Sequence, residues 1–342
     1  MQMDTSATAG GLRAKSIPIN WHDALPIYAF EPFLRSVSDE YGWIGGIDDS
    51  GTVRCILPYT VIRKAGIRMV RFRVETIPLG EDFDVREEKT FLNSVVHYCR
   101  AIGADMIIPA TTNTVFRTYP DGAIAAPYGS YIISLSQNEE ELWSNISHKY
   151  RKEIRHAMNK GVTIKSGMEY LDIAHAIVRN TFKRSGHPFM GFDEFKRMIH
   201  GLGEHARVAI AFYQGEPQSG TVYHFSAYSA YAVHGGSIPK PVSGAMKLLQ
   251  WESIRSFRDL GVKRFDLVGA RVNPEKGSKQ EGIMLFKQYL GGKPVQGYMW
   301  KYPLSSLKYA IYSQAVRLQR GGDIVDLERH KLVRDSVHGP NP

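Results

Sequence analysis

Short apolar runs punctuated by turn residues set the rhythm of the first third of the chain. Trp43–Ile47, Val53–Ile62 and Ile67–Thr76 read as strands, with Asp48-Asp49-Ser50-Gly51 and Lys64-Ala65-Gly66 as hairpin turns. A helix over about 27–41 leads into them. Another follows over about 86–102, because Phe91, Leu92, Val95, Val96 and Cys99 recur at helical spacing. Strands at Asp105–Pro109 and Ala126–Leu135 close this part.

From residue 136 the pattern predicts one amphipathic helix over about 138–160. Glu139, Glu140 and Glu141 fill its first turn and Lys, Arg and His its later turns, the order that the helix dipole favours. A strand at Val162–Lys165 and helices at 169–184 and 192–203 come next. Three strands then form a meander, Val208–Tyr213, Thr221–Ser226 and Ala230–Gly235, with Gln214-Gly215-Glu216-Pro217 as the first turn. A helix at 244–260, a strand at Arg264–Val268, a helix carrying Lys287 and a strand at 294–301 complete the order. A helix at about 304–319 is expected to pack back on the body, and the tail from about 335 to be mobile.

The 342 residues suggest about two domains, and the 43% hydrophobic content is enough for packed cores. No apolar run reaches the roughly 18 residues that span a bilayer. The first twenty-odd residues show no signal-peptide apolar region. Cys55 and Cys99, both in apolar surroundings, are too few for a disulfide scaffold, so a cytoplasmic setting is expected. Charge is unevenly placed. Residues 1–135 hold 13 Lys/Arg against 15 Asp/Glu, whereas residues 136–342 hold 30 against 19. The whole excess of positive charge lies in the second part, which suits a polyanionic partner or a merely basic, soluble surface.

Candidate chemistry concentrates in the same part. Phe265-Asp266-Leu-Val-Gly-Ala-Arg271 reads as a buried strand, the loop with Lys276 and Lys279 as polar, and Glu281–Leu290 as a helix. That helix carries Lys287 at the edge of an apolar stripe, beside a strand end and a glycine-rich loop, where α/β folds place site residues. Pattern alone reads first as a lysine snorkelling off a core helix. Asp266 and Glu281 are candidate general bases, and Glu281 is equally a helix N-terminal carboxylate. Lys149, Arg151, Lys152 and Arg155 lie within two turns, with Arg151 and Arg155 sharing a face suited to clamping phosphates or simply solvated. Tyr223, Tyr231 and His234 alternate through the central meander as cleft-lining or core residues. There is no Gly-x-Gly-x-x-Gly, Walker loop, His-Glu-x-x-His or Gly-x-Ser-x-Gly, and the twelve histidines show no metal spacing.

The Phe265-Asp-x-x-Gly269 strand, the Gly282-x-x-x-Phe286-Lys287 helix and the Gly291-Gly292 turn resemble the C-terminal signature of the Fem family of aminoacyl transferases. The stretch Leu142-Trp143, Lys149-Tyr-Arg-Lys-Glu-Ile-Arg155-His-Ala157 and Lys160-Gly161-Val162 is similar to that family's basic helix. The resemblance covers roughly residues 136–300. It implies a mixed α/β (α+β) chain of two tandem GNAT-like (acetyltransferase-like) domains. Their expected bounds are 1–135 and 136–335, with 336–342 as a flexible tail and no long coiled-coil arm.

The reaction implied is amide formation. An amine on a cell-wall (peptidoglycan) precursor, or on a small peptide or antibiotic scaffold, attacks the ester that joins an amino acid to tRNA. Aminoacyl-tRNA is then the co-substrate, with no cofactor and no metal. Lys287 would stabilise the oxyanion or the departing ribose oxygen. Arg151, Arg155 and Lys149, with Tyr223, Tyr231, His234, Asp266 and Glu281, would bind substrate, and Lys276 and Lys279 the tRNA backbone. In the loop Gly235–Met246, Pro239 and Pro241 remove amide donors that ordinary GNAT enzymes aim at acyl-CoA pyrophosphate. An acyl-CoA-dependent N-acyltransferase and a non-catalytic binder of anionic polymers are the rival readings. The sequence does not set the transferred amino acid, the acceptor or the oligomeric state.

Overall fold

The structure is a computed structural model that describes residues 11–338. In chain order it runs β1 (Arg13–Ile17), α1 (Glu31–Val37), β2 (Tyr41–Ile47), β3 (Val53–Lys64), β4 (Ile67–Phe72), β5 (Ile77–Pro78), α2 (Val85–Ala101), β6 (Met106–Ile107) and β7 (Ile124–Ser134). There follow α3 (Glu139–Asn145), α4 (His148–Asn159), β8 (Thr163–Ser166), α5 (Leu171–Arg184), α6 (Phe192–Leu202), β9 (Ala206–Tyr213), β10 (Glu216–Phe225) and β11 (Ala230–Ser237). The last elements are α7 (Ala245–Asp259), β12 (Arg264–Asp266), α8 (Lys279–Tyr289), β13 (Lys293–Pro303), α9 (Ser306–Arg320) and α10 (Ile324–His338).

Two compact units result. The first takes the chain up to Ile19, Glu40–Pro127 and the segment from Gly297 on; the second takes Asn20–Asp39 and Tyr128–Gln296. Each is built on the same strand plan. In the first, β1, β2, β3 and β4 form an antiparallel meander, β6 joins β4 in parallel, and β13 joins β6 antiparallel. In the second, β8, β9, β10 and β11 form the meander, β12 joins β11 in parallel, and β7 joins β12 antiparallel. The sixth strand of each unit therefore comes from the other half of the sequence. β7 follows β6 along the chain yet pairs with β12, and β13 follows α8 yet pairs with β6.

This exchange corrects the division expected at 135/136. The helix expected at 27–41 is also shorter: a 3₁₀ turn at Ile27–Ala29 precedes α1. Pro32 fits only the first turn of a helix, so no helix from residue 27 can run through it. The helix expected at 138–160 breaks at Ile146, which is extended, and Ser147 starts α4 by accepting the Tyr150 amide at 3.4 Å. β1, β5 and α10 have no counterpart among the elements expected from the sequence. α10 takes residues 336–338 of the expected tail into a helix, and 339–342 lie outside the described residues.

Each unit has its own core. In the first, α2 lays Phe91, Leu92, Val95, Val96 and Cys99 onto Ile44, Leu57, Val70 and Trp300. Asp84 and Glu87 close a capping box that fixes where α2 starts. In the second, α7 buries Leu248, Leu249, Trp251, Ile254 and Phe257 against Tyr223, Phe265 and Ile133.

α7 starts at Gly244, whose φ of 85° an L side chain adopts only with strain. A Cβ there would also stand 2.0 Å from the Glu153 carbonyl oxygen of α4. Gly244→Ala is expected to lower unfolding stability by at least about 2 kcal/mol, combining backbone strain with displacement of α4. A denaturant midpoint equal to the parent's would contradict this packing.

Candidate active site

Strands β11 and β12 pair over only Ala230–Phe265 and Tyr231–Asp266. β11 then runs on to Ser237, while the chain after Asp266 turns toward β7, where the Leu267 amide donates to the Tyr131 carbonyl at 2.9 Å. A parallel pair that ends this way leaves a fork at its C-terminal end, the place where open α/β sheets gather reactive groups.

Asp266 sits in that fork and is 3% exposed. Its Oδ1 accepts from Ser130 Oγ on β7 at 2.5 Å and from the Val268 amide at 2.8 Å. Burial raises the carboxyl above the ordinary aspartate value, and Ser130, the Arg264 charge, the Val268 amide and Lys287 oppose that shift. The next turn is strained. Val268 has φ 43° and Gly269 φ 37°. A β-branched residue with positive φ is an outlier costing about 1–3 kcal/mol, kept only where its surroundings impose it.

What that turn achieves is to aim two carbonyls at α8. Lys287 Nζ donates to the Val268 oxygen and, at 2.5 Å, to the Gly269 oxygen. Lys287 is 7% exposed, and burial pulls its amine down to about 8, with the Asp266 charge pulling the other way. A buried ammonium is tolerable because each charge-assisted hydrogen bond contributes about 1.5–3 kcal/mol. Two carbonyls use two of the three N–H bonds, which leaves one donor for another group.

Two features fix the helix that carries this lysine. Gly291 (φ 98°) ends it, and the Gly292 amide bonds back to the Lys287 carbonyl at 3.1 Å. A Cβ at Gly292 would stand 2.9 Å from that carbonyl and 3.0 Å from Tyr131 Cβ, so only glycine fits. On α4, the Tyr150 ring meets Phe286 at a tilt and Tyr289 edge-on, on either side of Lys287 along the helix, with centroids 5.9 and 5.5 Å apart. The two segments that carry the sequence resemblance are therefore packed on each other.

The other candidates divide. Arg151 donates to the Trp143 and Ser144 carbonyls at 3.3 and 2.8 Å, closing the end of α3. Arg155 lies over the Trp143 ring at 5.4 Å, exposed with Lys149 and Lys152. Lys276 is exposed, and Lys279, also exposed, donates to Ser185 Oγ. Glu281 accepts the Gly277 amide at 2.5 Å and so acts on its own helix N-terminus.

Tyr223, Tyr231 and His234 do not share a face. Tyr223 points under α7, 5.3 Å from Phe257. Tyr231 lies 4.9 Å from Tyr28, and His234 sits among Phe189, Phe195 and His224 on the opposite side, where burial lowers its pKa to about 4. Tyr231 pairs with His224, which sets it on the face opposite Tyr223, and a bulge pairs Val222 with His234, which turns His234 to the Tyr231 side. Ser130 and Tyr150 escaped the sequence reading; nothing local marks Ser130, while Tyr150 lies inside the basic motif.

The loop before α7 has three of its amides engaged within the protein. The Ile238 amide donates to the Gln218 carbonyl, the Val242 amide to Gln218 Oε1 and the Ala245 amide to the Val242 carbonyl, each at 3.0 Å. Pro239 and Pro241 have no amide hydrogen. Among the described residues, no three His, Cys, Asp or Glu side chains are grouped so as to hold a metal ion, and no helix is long and apolar enough to cross a membrane.

Residues 122–218 match the model of the FemAB family. No curated protein matches the chain in sequence. Among solved structures, FemX aligns with a TM-score of 0.64 at 14% identity, over 88% of this chain and 99% of FemX. The C-terminal domain (DUF2156) of a putative lysylphosphatidylglycerol synthetase from Agrobacterium fabrum aligns with a TM-score of 0.52 at 13% identity, over 85% of this chain and 92% of that one. A conserved protein of unknown function from Bacteroides thetaiotaomicron gives 0.51 at 12% identity, over 85% and 99%. The fold is thus the mixed α/β, tandem GNAT-like fold. The Fem-family resemblance is shown by the FemAB match together with the FemX likeness. The longest helix among the described residues is the 17-residue α2, so no coiled-coil arm is present there.

Arg151→Ala should cost about 1 kcal/mol of stability, since two carbonyls at the end of α3 lose a half-buried charged donor. Arg155→Ala should stay within about 0.5 kcal/mol of the parent. Equal denaturant midpoints for the two variants would refute this division of roles.

Proposed function

We propose that this chain is an aminoacyl-tRNA-dependent aminoacyltransferase. An amine of the acceptor attacks the ester carbonyl that joins an amino acid to the tRNA 3′ end. The tetrahedral intermediate collapses, the C–O bond to ribose breaks, and the ribose oxygen leaves with a proton as the amide forms. An activated ester and an amine need positioning and charge stabilisation more than covalent help. The observation that carries this reading is the Lys287 ammonium, anchored by two carbonyls in the fork with one N–H free for the oxyanion or the departing ribose oxygen.

The segment matched by the FemAB model supports the reading, as does a pre-α7 loop in which two prolines lack an amide hydrogen and three amides are already engaged. The exposed cations Lys149, Lys152, Arg155, Lys276 and Lys279 suit tRNA phosphates. The acceptor would be a cell-wall precursor or a small peptide or antibiotic scaffold bearing a free amine.

The test is incubation with a mixed pool of tRNA charged with labelled amino acids and candidate amine acceptors, with products read by mass. The expected product is an acceptor heavier by one aminoacyl residue, formed only with charged tRNA. Lys287→Ala should reduce turnover by about 10²–10³-fold, as for loss of one oxyanion donor. Because the charged amine is the working form, the parent's rate should fall as pH rises through about 8. Product formed from acetyl-CoA without tRNA, or an alanine variant within a few-fold of the parent, would overturn the proposal.

A further inference from the structure

The first unit contains an arrangement that the transfer reaction does not use. Arg71 and Arg73 lie two residues apart at the end of β4 and so point to the same face. Arg73 is 8% exposed, and its Nε donates at 2.8 Å to the hydroxyl of Thr60, itself fully buried. Its backbone is clamped as well, since Thr111 Oγ1 and Asn113 Nδ2 donate to its carbonyl at 3.0 and 2.9 Å. Arg71 is half-buried, and its Nε is buried with no hydrogen-bond partner among the described residues.

Among the described residues, neither guanidinium forms an ion pair. The charged group that bears on Arg73 is Arg71, of the same sign. Around Arg71 stand Tyr312, Arg320 and Asp323, and Asp323 is already bonded to Lys301 at 2.7 Å. Burial together with Arg71 pulls Arg73 down to about 9. A buried, uncompensated charge costs several kcal/mol, and a protein normally pairs it. Here one buried and one half-buried guanidinium lie at a strand end braced by three polar contacts.

We propose that Arg71 and Arg73, with the Thr60 hydroxyl behind them, form a binding site for a phosphate group. Two guanidinium forks match the oxygens of a tetrahedral oxyanion. A phosphate monoester carries about −1.5 to −2 at neutral pH and so compensates both arginines, whereas a single carboxylate leaves one unpaired. The site is independent of the transferase reading.

The test is thermal unfolding of the full chain, titrated with inorganic phosphate against chloride at matched ionic strength, and with acetate as the carboxylate control. Phosphate at about 100 times its dissociation constant should raise Tm by on the order of 5 °C, and acetate should not. The R71Q/R73Q variant should lose that shift. In phosphate-free buffer it should melt no lower than the parent, because an uncompensated charge pair has been removed. Repeating the titration with a nucleoside 5′-monophosphate and with phosphatidate-containing vesicles separates a soluble source from a lipid one, and an arginine-dependent signal in either supports the site. Three results each overturn the proposal: no response in any arm, a phosphate shift that survives in R71Q/R73Q, or a shift that acetate matches.

Discussion

The pinning of one ammonium group organises the second unit. Lys287 can be buried only because the Val268 and Gly269 carbonyls meet it, and they meet it only because both residues take left-handed backbone. Asp266 stabilises that turn by accepting the Val268 amide and is itself oriented by Ser130. The Gly291-Gly292 turn ends α8 where the lysine must stop, and Tyr150 braces the helix from α4. Strained backbone, a buried carboxyl and two glycines all serve one placement. That is the pattern expected where local stability is given up for a fixed charge.

The charge so fixed is of a useful kind. An exposed lysine is a mobile donor that water already satisfies. Here the amine is held in low dielectric with part of its hydrogen-bonding capacity unused, so its effect on a developing negative charge is larger and needs no reorganisation. Burial also moves its pKa from the ordinary lysine value to about 8. Because the folded value is the lower one, the group destabilises the fold fully below pH 8, and that penalty is relieved as pH rises from about 8 toward the unfolded value near 10.4.

Much of this was legible from spacing, and the exceptions have physical causes. Lys287, Asp266 and Gly269 belong to one short segment, so pattern and resemblance located them together. Ser130 is 136 residues from its partner Asp266, and a serine in a strand looks like any other. The alternation of Tyr223, Tyr231 and His234 misled because Tyr231 pairs with His224 and not Tyr223, and a bulge turns His234 to the Tyr231 side. The exchange of β7 and β13 was invisible because each pairs with a strand far away in sequence, and hydrophobic alternation reports a strand's faces but not its neighbour. Charge counting hid Arg71 and Arg73 altogether: the first 135 residues carry slightly more acid than base, yet among the described residues neither arginine forms an ion pair.

The most direct measurement is an NMR titration of the Lys287 side-chain methylene next to Nζ, in the parent and in Asp266→Asn. The account predicts a midpoint near 8 in the parent. It predicts a lower midpoint in the variant, because the carboxylate that favours the charged amine has been removed. A midpoint at the ordinary lysine value of about 10.4, unmoved by the substitution, would mean that the amine is solvated and that no charge is fixed in the fork.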